Sequence, residues 1–344
     1  MGERQVAPFA NGITPGLRQD RRSRTVDVLD AAEVEFTVMT ETELAELRER
    51  LHGDPAATAG TNSTYGHSEG RAVPFAEANS STRVLLIASG KGGVGKSSVT
   101  TNLAVALAGR GRDVAVVDAD VWGFSIPRML GVNQPPTVID DMLIPPEGHG
   151  VRCISMGFFA EEDQPVIWRG PMLHKALEQF LTDVYWDEPD YLLVDLPPGT
   201  GDIHLTVMQT VPVTGVVIVT TPQTVALADA KKAIAMFGQA NVKVPIIGLI
   251  ENMSYFTPAE LPNNKYYLFG KQGGQNLATE YDLAFLGEIP LVQSIREGGD
   301  AGVPAMVGEE EVSKAALRGV VSNAVRQIAI RNANLPKTET ISVA

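Results

Sequence analysis

Short, nearly continuous runs of apolar residues recur along the chain, at intervals that leave room for a helix between them. The strand-like runs are VLLIAS (84–89), DVAVVDAD (113–120), YLLVDLP (191–197), GVVIVTT (215–221) and VPIIGLIEN (244–252). Strands that are apolar on both faces and alternate with helical segments are typical of a parallel sheet covered on each side by helices. The pattern therefore predicts a doubly wound α/β fold with a mostly parallel sheet.

Helical segments can be recognised between these runs by their ends. The segment 97–111 finishes in glycine, and PMLHKALEQFLTDVYW begins with a proline at a position suited to the first helical turn. The segment 309–334 has an apolar face, and we expect it to form a closing helix docked on the sheet. These helices supply the layers that a parallel sheet requires.

The chain of 344 residues is long enough for one sizeable α/β domain with a small appendage, or for two modest domains. Residues 1–52 have too few apolar positions for a convincing core of their own, and no role is assigned to them. Residues 53–82 are rich in Gly, Ser, Thr, Asn and Ala without periodicity, which is a linker composition. The expected division places the main domain at 83–334 and a tail at 335–344.

Composition limits the classes of partner. The formal net charge is −13 with the acidic residues scattered, so no basic surface for nucleic acid or anionic lipid is evident. Cys153 is the only cysteine, which excludes an intramolecular disulfide. The apolar runs are far shorter than the roughly 20 residues that span a bilayer. We expect a soluble, cytoplasmic protein without a membrane or nucleic-acid partner.

The stretch GKGGVGKSS has the spacing of a phosphate-binding loop directly after a predicted strand and at the start of a predicted helix. Its glycines allow successive backbone N–H groups to turn toward one anion, with the helix dipole adding to the field. The expected nucleotide-binding residues are Gly90, Lys91, Gly92, Gly93, Val94, Gly95, Lys96, Ser97 and Ser98. The alternative is a glycine-rich turn that binds nothing.

Two residues of this loop have distinct expected roles toward ATP and Mg²⁺. Lys96 reaches the β and γ phosphates, which makes it a candidate catalytic residue. Ser97 supplies a hydroxyl to Mg²⁺, a cation that prefers oxygen ligands and keeps several waters. A nucleotide with Mg²⁺ is therefore the expected ligand.

Carboxylates follow two of the predicted strands at the edge where open α/β sheets bind ligands. Asp118 and Asp120 lie two residues apart on an extended chain and so share a face. In phosphoryl transfer, one such aspartate orients the attacking water and another holds Mg²⁺ through water. The alternative is that they cap the next turn. Asp195, in the second of these two strands (YLLVDLP), has the look of a Walker B aspartate and is a further candidate Mg²⁺ residue.

The residues after Asp195 form a proline-glycine turn. Pro198, Gly199 and Gly201 would let the backbone approach the γ-phosphate and change conformation when it leaves, so they are a candidate switch.

Asn252 ends a later strand, and its amide can donate and accept together, as contact with an adenine edge requires. The alternative for Asn252 is a turn residue. Pro290, in a nearby segment, is a candidate contact with the base.

Lys91, in the pattern KGGVGKS, resembles the signature lysine of the deviant Walker A ATPases, the class of MinD, ParA and the nitrogenase iron protein. The resemblance implies a catalytic lysine that reaches across a nucleotide-sandwich homodimer to the partner's phosphates. A cation supplied in trans neutralises charge on the transferred phosphoryl, as an arginine finger does. The alternative is a solvent-exposed loop lysine.

An ordered set of segments across about 83–330 resembles the Mrp/ApbC-type iron–sulfur cluster carrier ATPases. These segments are SGKGGVGKSSVTTNLAVALA, VVDADVWGFSIPRMLG, WRGPM, LLVDLPPGTGD, TTPQTVALADAKKAIAMF, ENMSYF and REGGDAGVP. The resemblance implies a P-loop ATPase dimer that binds ATP and Mg²⁺, holds a bridging iron–sulfur cluster and passes it to apoprotein clients. The resemblance to the deviant Walker A class assigns Asp120 to the attacking water and Asp118 to the outer shell of the metal.

The residues that hold the cluster in such carriers are missing. Where the family commonly has CxxC after ENMSYF, this sequence has about Pro258 and Leu261, and neither supplies a thiolate. We expect Cys153, in the apolar run VRCISMGFF, to be a buried strand residue. No iron–sulfur ligands are identified, and His174 and His204 are expected to be structural or interfacial.

Two other functions remain open from the sequence. One is a positioning ATPase like MinD or ParA, which carries no cluster and would favour a basic amphipathic terminal helix or a basic patch. The other is a regulatory module that binds nucleotide without turnover, against which the retention of Lys91, Lys96, Asp120 and Asp195 argues.

Overall fold

The structure is a computed structural model that describes residues 80–121, 123–139, 142–159, 170–239, 242–258, 260–261 and 264–341, together with Thr42, Val73 and Phe75. Apart from Thr42, the segment expected at 1–52 lies outside the described residues, as does most of the linker expected at 53–82, and the expected domain boundaries stay predictions. The chain divides into two units, of which the larger comprises Ser68–Val138 and Leu143–Ala344. The fold below is that of the larger unit; Ile139 and Met142 belong to the smaller one.

Eight of the described strands form one sheet. The described strands are β1 (Arg83–Ala88), β2 (Val114–Asp118), β3 (Thr137–Ile139), β4 (Met142–Ile144), β5 (Glu147–Gly148), β6 (Val151–Ser155), β7 (Tyr191–Asp195), β8 (Val213–Thr220), β9 (Ile246–Glu251) and β10 (Phe285–Glu288). The order across the sheet is β10-β9-β8-β1-β7-β2-β6-β5, and β3 pairs with β4 separately. Neighbours in the large sheet are parallel except for the short β5, which is antiparallel to β6.

Helices follow most of the parallel strands. They are α1 (Lys96–Ala108), α2 (Ile126–Met129), α3 (Gly170–Thr182), α4 (Asp202–Thr210), α5 (Thr224–Phe237), α6 (Gly273–Glu280), α7 (Gln293–Ala301) and α8 (Glu311–Asn334), with a 3₁₀ turn at Met156–Phe159. None of the helices among the described residues is both long enough and apolar enough to cross a lipid bilayer.

Each face of the sheet is buried under its own layer of helices. In β1, Leu86 belongs to the core shared with α3, α4 and α5, whereas Leu85 and Ile87 belong to the core shared with α1 and α8. This alternation is the period of two that a strand imposes. The prediction of a doubly wound, mostly parallel sheet is confirmed, and the closing helix α8 is docked on the sheet as expected.

The topology brings the carboxyl ends of three strands together. β7 lies between β1 and β2, and its Asp195 is in register with Ile87 on one side and with Asp118 on the other. The chain therefore leaves β1 into the glycine-rich loop directly beside two buried aspartates. Ligands of open α/β sheets bind at such an edge.

Candidate functional site

The loop between β1 and α1 has the open conformation that a phosphate group requires. Gly93 and Gly95 have positive φ angles of 78° and 80°, which glycine adopts without a steric penalty. Among the described residues, the backbone N–H groups of residues 92–97 have no hydrogen-bond acceptor. These donors lie at the amino end of α1, where the helix dipole favours an anion.

Gly90 is required for packing rather than for its φ angle. A Cβ at Gly90 would overlap the main chain of α5 at Asp229 and Ala230. The start of the phosphate loop therefore rests directly on the backbone of α5. No other residue type has room there.

Three donors converge on the buried carboxylate of Asp195. Lys96 Nζ lies 2.7 Å from Oδ2, Ser97 Oγ donates to the same oxygen at 2.5 Å, and Thr100 Oγ1 donates to Oδ1 at 2.6 Å. Such short, charge-assisted bonds fix the carboxylate in one orientation. Thr100 was not expected from the sequence, although its place four residues after Lys96 puts both on one face of α1.

Asp120 lies on the other side of the same lysine. Its Oδ2 is 3.9 Å from Lys96 Nζ, and its side chain is 12% exposed, whereas that of Asp195 is fully buried. Lys96 is thus positioned between two carboxylates, one at the bottom of the site and one at its opening.

Asp118 is turned toward the start of α2. One of its oxygens accepts from Asp120 N at 3.3 Å, and the other accepts from Ser125 N, Ile126 N and Ser155 Oγ at 3.0 to 3.2 Å. Burial, together with the nearby negative charge of Asp195, raises its pKa to about 7. These bonds match the capping alternative, while the outer-shell metal role stays a prediction.

A cleft of about 680 Å³ opens above these groups, a volume within the range of small-molecule sites. Of the predicted residues, its walls contain Lys91, Gly92, Gly93, Val94, Gly95, Lys96, Ser97, Ser98, Asp120, Pro198 and Gly201. In the described part of the chain, Asn252 and Pro290 are not among the lining residues. Lys91 is exposed at this cleft, and its action on a partner subunit stays a prediction.

A backbone hydrogen bond joins the turn after β7 to the residue that precedes the phosphate loop. Gly199, with φ at 93°, donates its N–H to Ser89 O at 2.9 Å. Gly201 directly precedes α4 and has an ordinary φ of −82°. A Cβ at Gly199 or Gly201 would meet no atom within 4 Å, so there is free space on this side of the turn.

Asn252 contacts the phosphate loop itself. Its Nδ2 donates to Val94 O at 2.8 Å, and its amide lies in the space that a Cβ on Gly95 would occupy. Pro290 is buried, and the preceding Ile289 donates its N–H to Glu251 O at 2.9 Å. Contact of Asn252 or Pro290 with an adenine base stays a prediction, and the bond to Val94 was not foreseen.

The two histidines expected to be structural or interfacial are on adjacent helices: His204 is on α4, which follows the candidate switch turn, and His174 is on α3 and contacts α4. His204 is buried, and its Nδ1 lies 3.1 Å from Gly201 O. Burial lowers the pKa of His204 to about 4, so its ring is neutral at pH 7. His174 lines the cleft, and its Nδ1 lies 3.0 Å from Thr206 Oγ1.

Cys153 is a fully buried residue of β6, as expected. Burial, and then the charge of Asp118, raises the pKa of its thiol well above the usual range. The positions of the missing CxxC lie in a turn, in which Leu261 N donates to Pro258 O at 3.1 Å. Across the described ranges, no three His, Cys, Asp or Glu side chains are grouped so that they could hold a metal ion by themselves.

Comparison with known proteins adds an independent line of evidence. Residues 80–328 match the ParA family described as NUBPL iron-transfer P-loop NTPase. The chain is 49% identical over 237 residues to an iron-sulfur cluster carrier protein of Synechocystis sp., covering 67% of each chain. It is 51% identical over 251 residues to the protein of that name from Deinococcus radiodurans, covering 72% of this chain and 70% of that one.

Solved structures agree with the fold. A nucleotide-binding protein from Archaeoglobus fulgidus in complex with ADP has a TM-score of 0.58 at 37% identity, covering 67% of this chain and 90% of that chain. The septum site-determining protein MinD from Pyrococcus horikoshii, complexed with Mg-ADP, has a TM-score of 0.53 at 23% identity, covering 73% of this chain and 98% of that chain. At that identity, MinD supports the fold alone.

The family match covers the whole large sheet and the described helices except the end of α8, and it includes the phosphate loop, the three aspartates and the proline-glycine turn after β7. On this evidence, the chain belongs to the NUBPL iron-transfer P-loop NTPases of the ParA family.

Proposed function

We propose that this chain is a Mg²⁺-dependent ATPase that works as a homodimer and carries iron–sulfur clusters to apoprotein clients. The observation that carries the proposal is the grouping of Lys96, Ser97 and Asp195 beneath a phosphate loop whose backbone donors have no acceptor among the described residues. The carrier role is supported by relatives named iron-sulfur cluster carrier proteins. We further infer a cytoplasmic location, on the composition described above.

The site has donors and charge suited to a nucleotide triphosphate. The N–H groups of residues 92–97 would bind the phosphates, and Lys96 would move from Asp195 toward the β and γ phosphates. Asp120, at the opening of the site, would orient an attacking water. Phosphoryl transfer depends mainly on such positioning and charge stabilisation.

The chemistry of the donors also fits Mg²⁺. Two carboxylates, those of Asp120 and Asp195, face the single positive charge of Lys96, and the Ser97 hydroxyl is bonded to the Asp195 carboxylate at 2.5 Å. Mg²⁺ is usually held by one or two protein oxygens together with phosphates and waters, so a group of three protein ligands is not required. Ser97, with Asp195 and Asp118 acting through water, would hold the ion, which neutralises phosphate charge when bound.

We infer that Lys91 acts between subunits. It is exposed at the cleft, whereas Lys96 is buried against Asp195. In the homodimer that we propose, Lys91 of one protomer approaches the phosphates bound by the other. Hydrolysis would then require dimerisation.

The proposed cargo does not rest on Cys153. Four cysteine thiolates normally hold a cluster, and a homodimer of this chain has one cysteine per protomer, which is buried with a raised pKa. We infer that the cluster is bound transiently, with ligands other than Cys153. The carrier role is favoured over a MinD-like positioning role because the carriers are 49–51% identical, whereas MinD of Pyrococcus horikoshii is 23% identical.

Anaerobic reconstitution with iron and sulfide tests the cargo. We expect the wild type and Cys153→Ser to bind equal amounts of iron and sulfide, read by absorbance and metal content. A Pro258→Cys/Leu261→Cys variant is the matched control, because the turn at 258–261 places two thiols close together. Iron and sulfide bound by the control but not by the wild type would overturn the carrier role while leaving the ATPase intact.

A further inference from the structure

The contact between His174 and Thr206 joins two helices at the wall of the cleft. His174 is on α3 and Thr206 is on α4, and both residues line the cleft. The imidazole Nδ1 lies 3.0 Å from the Thr206 hydroxyl oxygen. Pro198 and Gly201 of the candidate switch turn line the same cleft, and Gly201 directly precedes α4.

The direction of this hydrogen bond follows from the neighbouring contact. Thr206 Oγ1 also lies 3.1 Å from Asp202 O, a carbonyl that can only accept. A hydroxyl has one hydrogen, and both contacts are satisfied only if that hydrogen points to Asp202 O. His174 Nδ1 must then carry a proton and donate to Thr206.

The bond is not needed to hold the two helices together. α3 and α4 already share the apolar core through buried Leu177 and Leu181 on one helix and Val207 and Met208 on the other. His174 itself is exposed, and an exposed polar bond adds little to stability. The hydrogen bond instead fixes the first turns of α4 against α3. These turns follow the candidate switch turn.

The region that this bond restrains has room to move. A Cβ at Gly199 or Gly201 would meet nothing within 4 Å, so the turn is not wedged in place on that side. A shift of the turn on phosphate binding or release would displace the start of α4 and, with it, Thr206. The bond to His174 would pass this displacement to α3.

We propose that His174 is a positioning residue that couples the switch turn and α4 to α3 through its hydrogen bond to Thr206. The inference rests on the proposed ATPase function. His174 makes no direct contact with the nucleotide in this proposal. It acts by setting the position that the switch turn takes during turnover.

The test uses steady-state ATP hydrolysis by the full chain. His174→Asn places an amide N–H near the position of Nδ1, whereas His174→Gln places one near Nε2 and loses the donor to Thr206. Thr206→Ser keeps the acceptor and Thr206→Val removes it. We expect His174→Ala, His174→Gln and Thr206→Val each to lower kcat by about fivefold with KM and the thermal midpoint little changed. His174→Asn and Thr206→Ser should restore most of the turnover.

A double-mutant cycle on kcat separates coupling from a general loss. If the bond carries the effect, His174→Ala/Thr206→Val should be no slower than either single variant. Three results would overturn this inference and leave the proposed function standing. The first is an unchanged kcat in His174→Ala, and the second is additive losses in the double variant. The third is activity kept by His174→Gln and lost by His174→Asn. A wild type that binds ATP without hydrolysing it would refute the proposed function and this inference together.

Discussion

At the scale of single residues, two glycines of the site are needed for different physical reasons. Gly90 has no space for a Cβ because the backbone of α5 at Asp229 and Ala230 occupies it. Gly201 has space and an ordinary φ angle, so the described conformation does not require glycine there. We infer that the freedom of Gly201 is used in another state of the switch.

This difference gives a paired prediction. Gly90→Ala should lower the free energy of unfolding by about 3 kcal/mol, the cost typical of overpacking against immovable atoms. Gly201→Ala should change it by less than about 1 kcal/mol but should lower kcat by tenfold or more, because the turn loses conformational freedom. Denaturant unfolding and ATPase rates measure the two effects. Normal turnover in Gly201→Ala would contradict the switch role.

His204 gives a prediction on the dependence of stability on pH. Its pKa falls from 6.5 in the unfolded chain to about 4 in the fold, because burial disfavours the charged ring. Between these values the unfolded state binds the extra proton, so the stability that the neutral ring contributes is full above pH 6.5 and is lost as pH falls toward 4. The loss should be about 3 kcal/mol.

The matched variant is His204→Asn, which keeps an amide donor near Gly201 O and does not titrate. Other groups also titrate in this range, so the measurement is the difference in unfolding free energy between wild type and variant at each pH. The difference should change by about 3 kcal/mol from pH 7 to pH 4. A difference that stays constant over that range would show that His204 has the same pKa in the fold as in the unfolded chain, and would contradict the effect of burial.

At the scale of elements, the end of β9 holds the phosphate loop in place. Asn252 donates to Val94 O, so Asn252→Ala should leave the loop less ordered before it binds phosphate. We expect nucleotide affinity to fall by about tenfold, because one buried hydrogen bond is lost. The fall should be equal for ATP and GTP. Titration with fluorescent analogues of both nucleotides measures this. Loss of ATP binding alone would show instead that Asn252 contacts the adenine base.

Element positions could be predicted wherever the apolar pattern was strong. The runs that became β1, β2, β7, β8 and β9 are continuous and β-branched, and they were placed to within a few residues. β10 was missed because FLGE is short, contains a glycine and ends in a charge. Its strand conformation depends on pairing with β9, which is a tertiary contact.

The sequence predicts those parts of the site whose residues lie close together along the chain at a known spacing. The phosphate loop and Asp195 follow known spacing, and the structure brings Lys96, Ser97 and Asp195 together. The contacts of Asn252 with Val94 and of His174 with Thr206 join residues 158 and 32 positions apart. No spacing rule relates such pairs, because the fold alone decides which strand ends and helices meet.

At the scale of the whole molecule, the proposed function requires two copies of the chain. In each protomer, Lys96 lies beneath the cleft described above and Lys91 is exposed at it. If Lys91 acts on the nucleotide of the other protomer, a catalytic site is complete only when Lys96 comes from one subunit and Lys91 from its partner. ATP turnover per protomer should then rise with protein concentration until the dimer is saturated.

A mixing experiment tests this claim most directly. Lys91→Ala lacks the lysine supplied to the partner, and Lys96→Gln lacks the lysine beneath its own nucleotide while keeping a donor for Asp195. Each variant alone should be nearly inactive. In an equimolar mixture, half of the dimers are mixed and each has one complete site, so about a quarter of the wild-type activity should return. A mixture no more active than the sum of its components, with both variants folded and dimeric, would contradict the account.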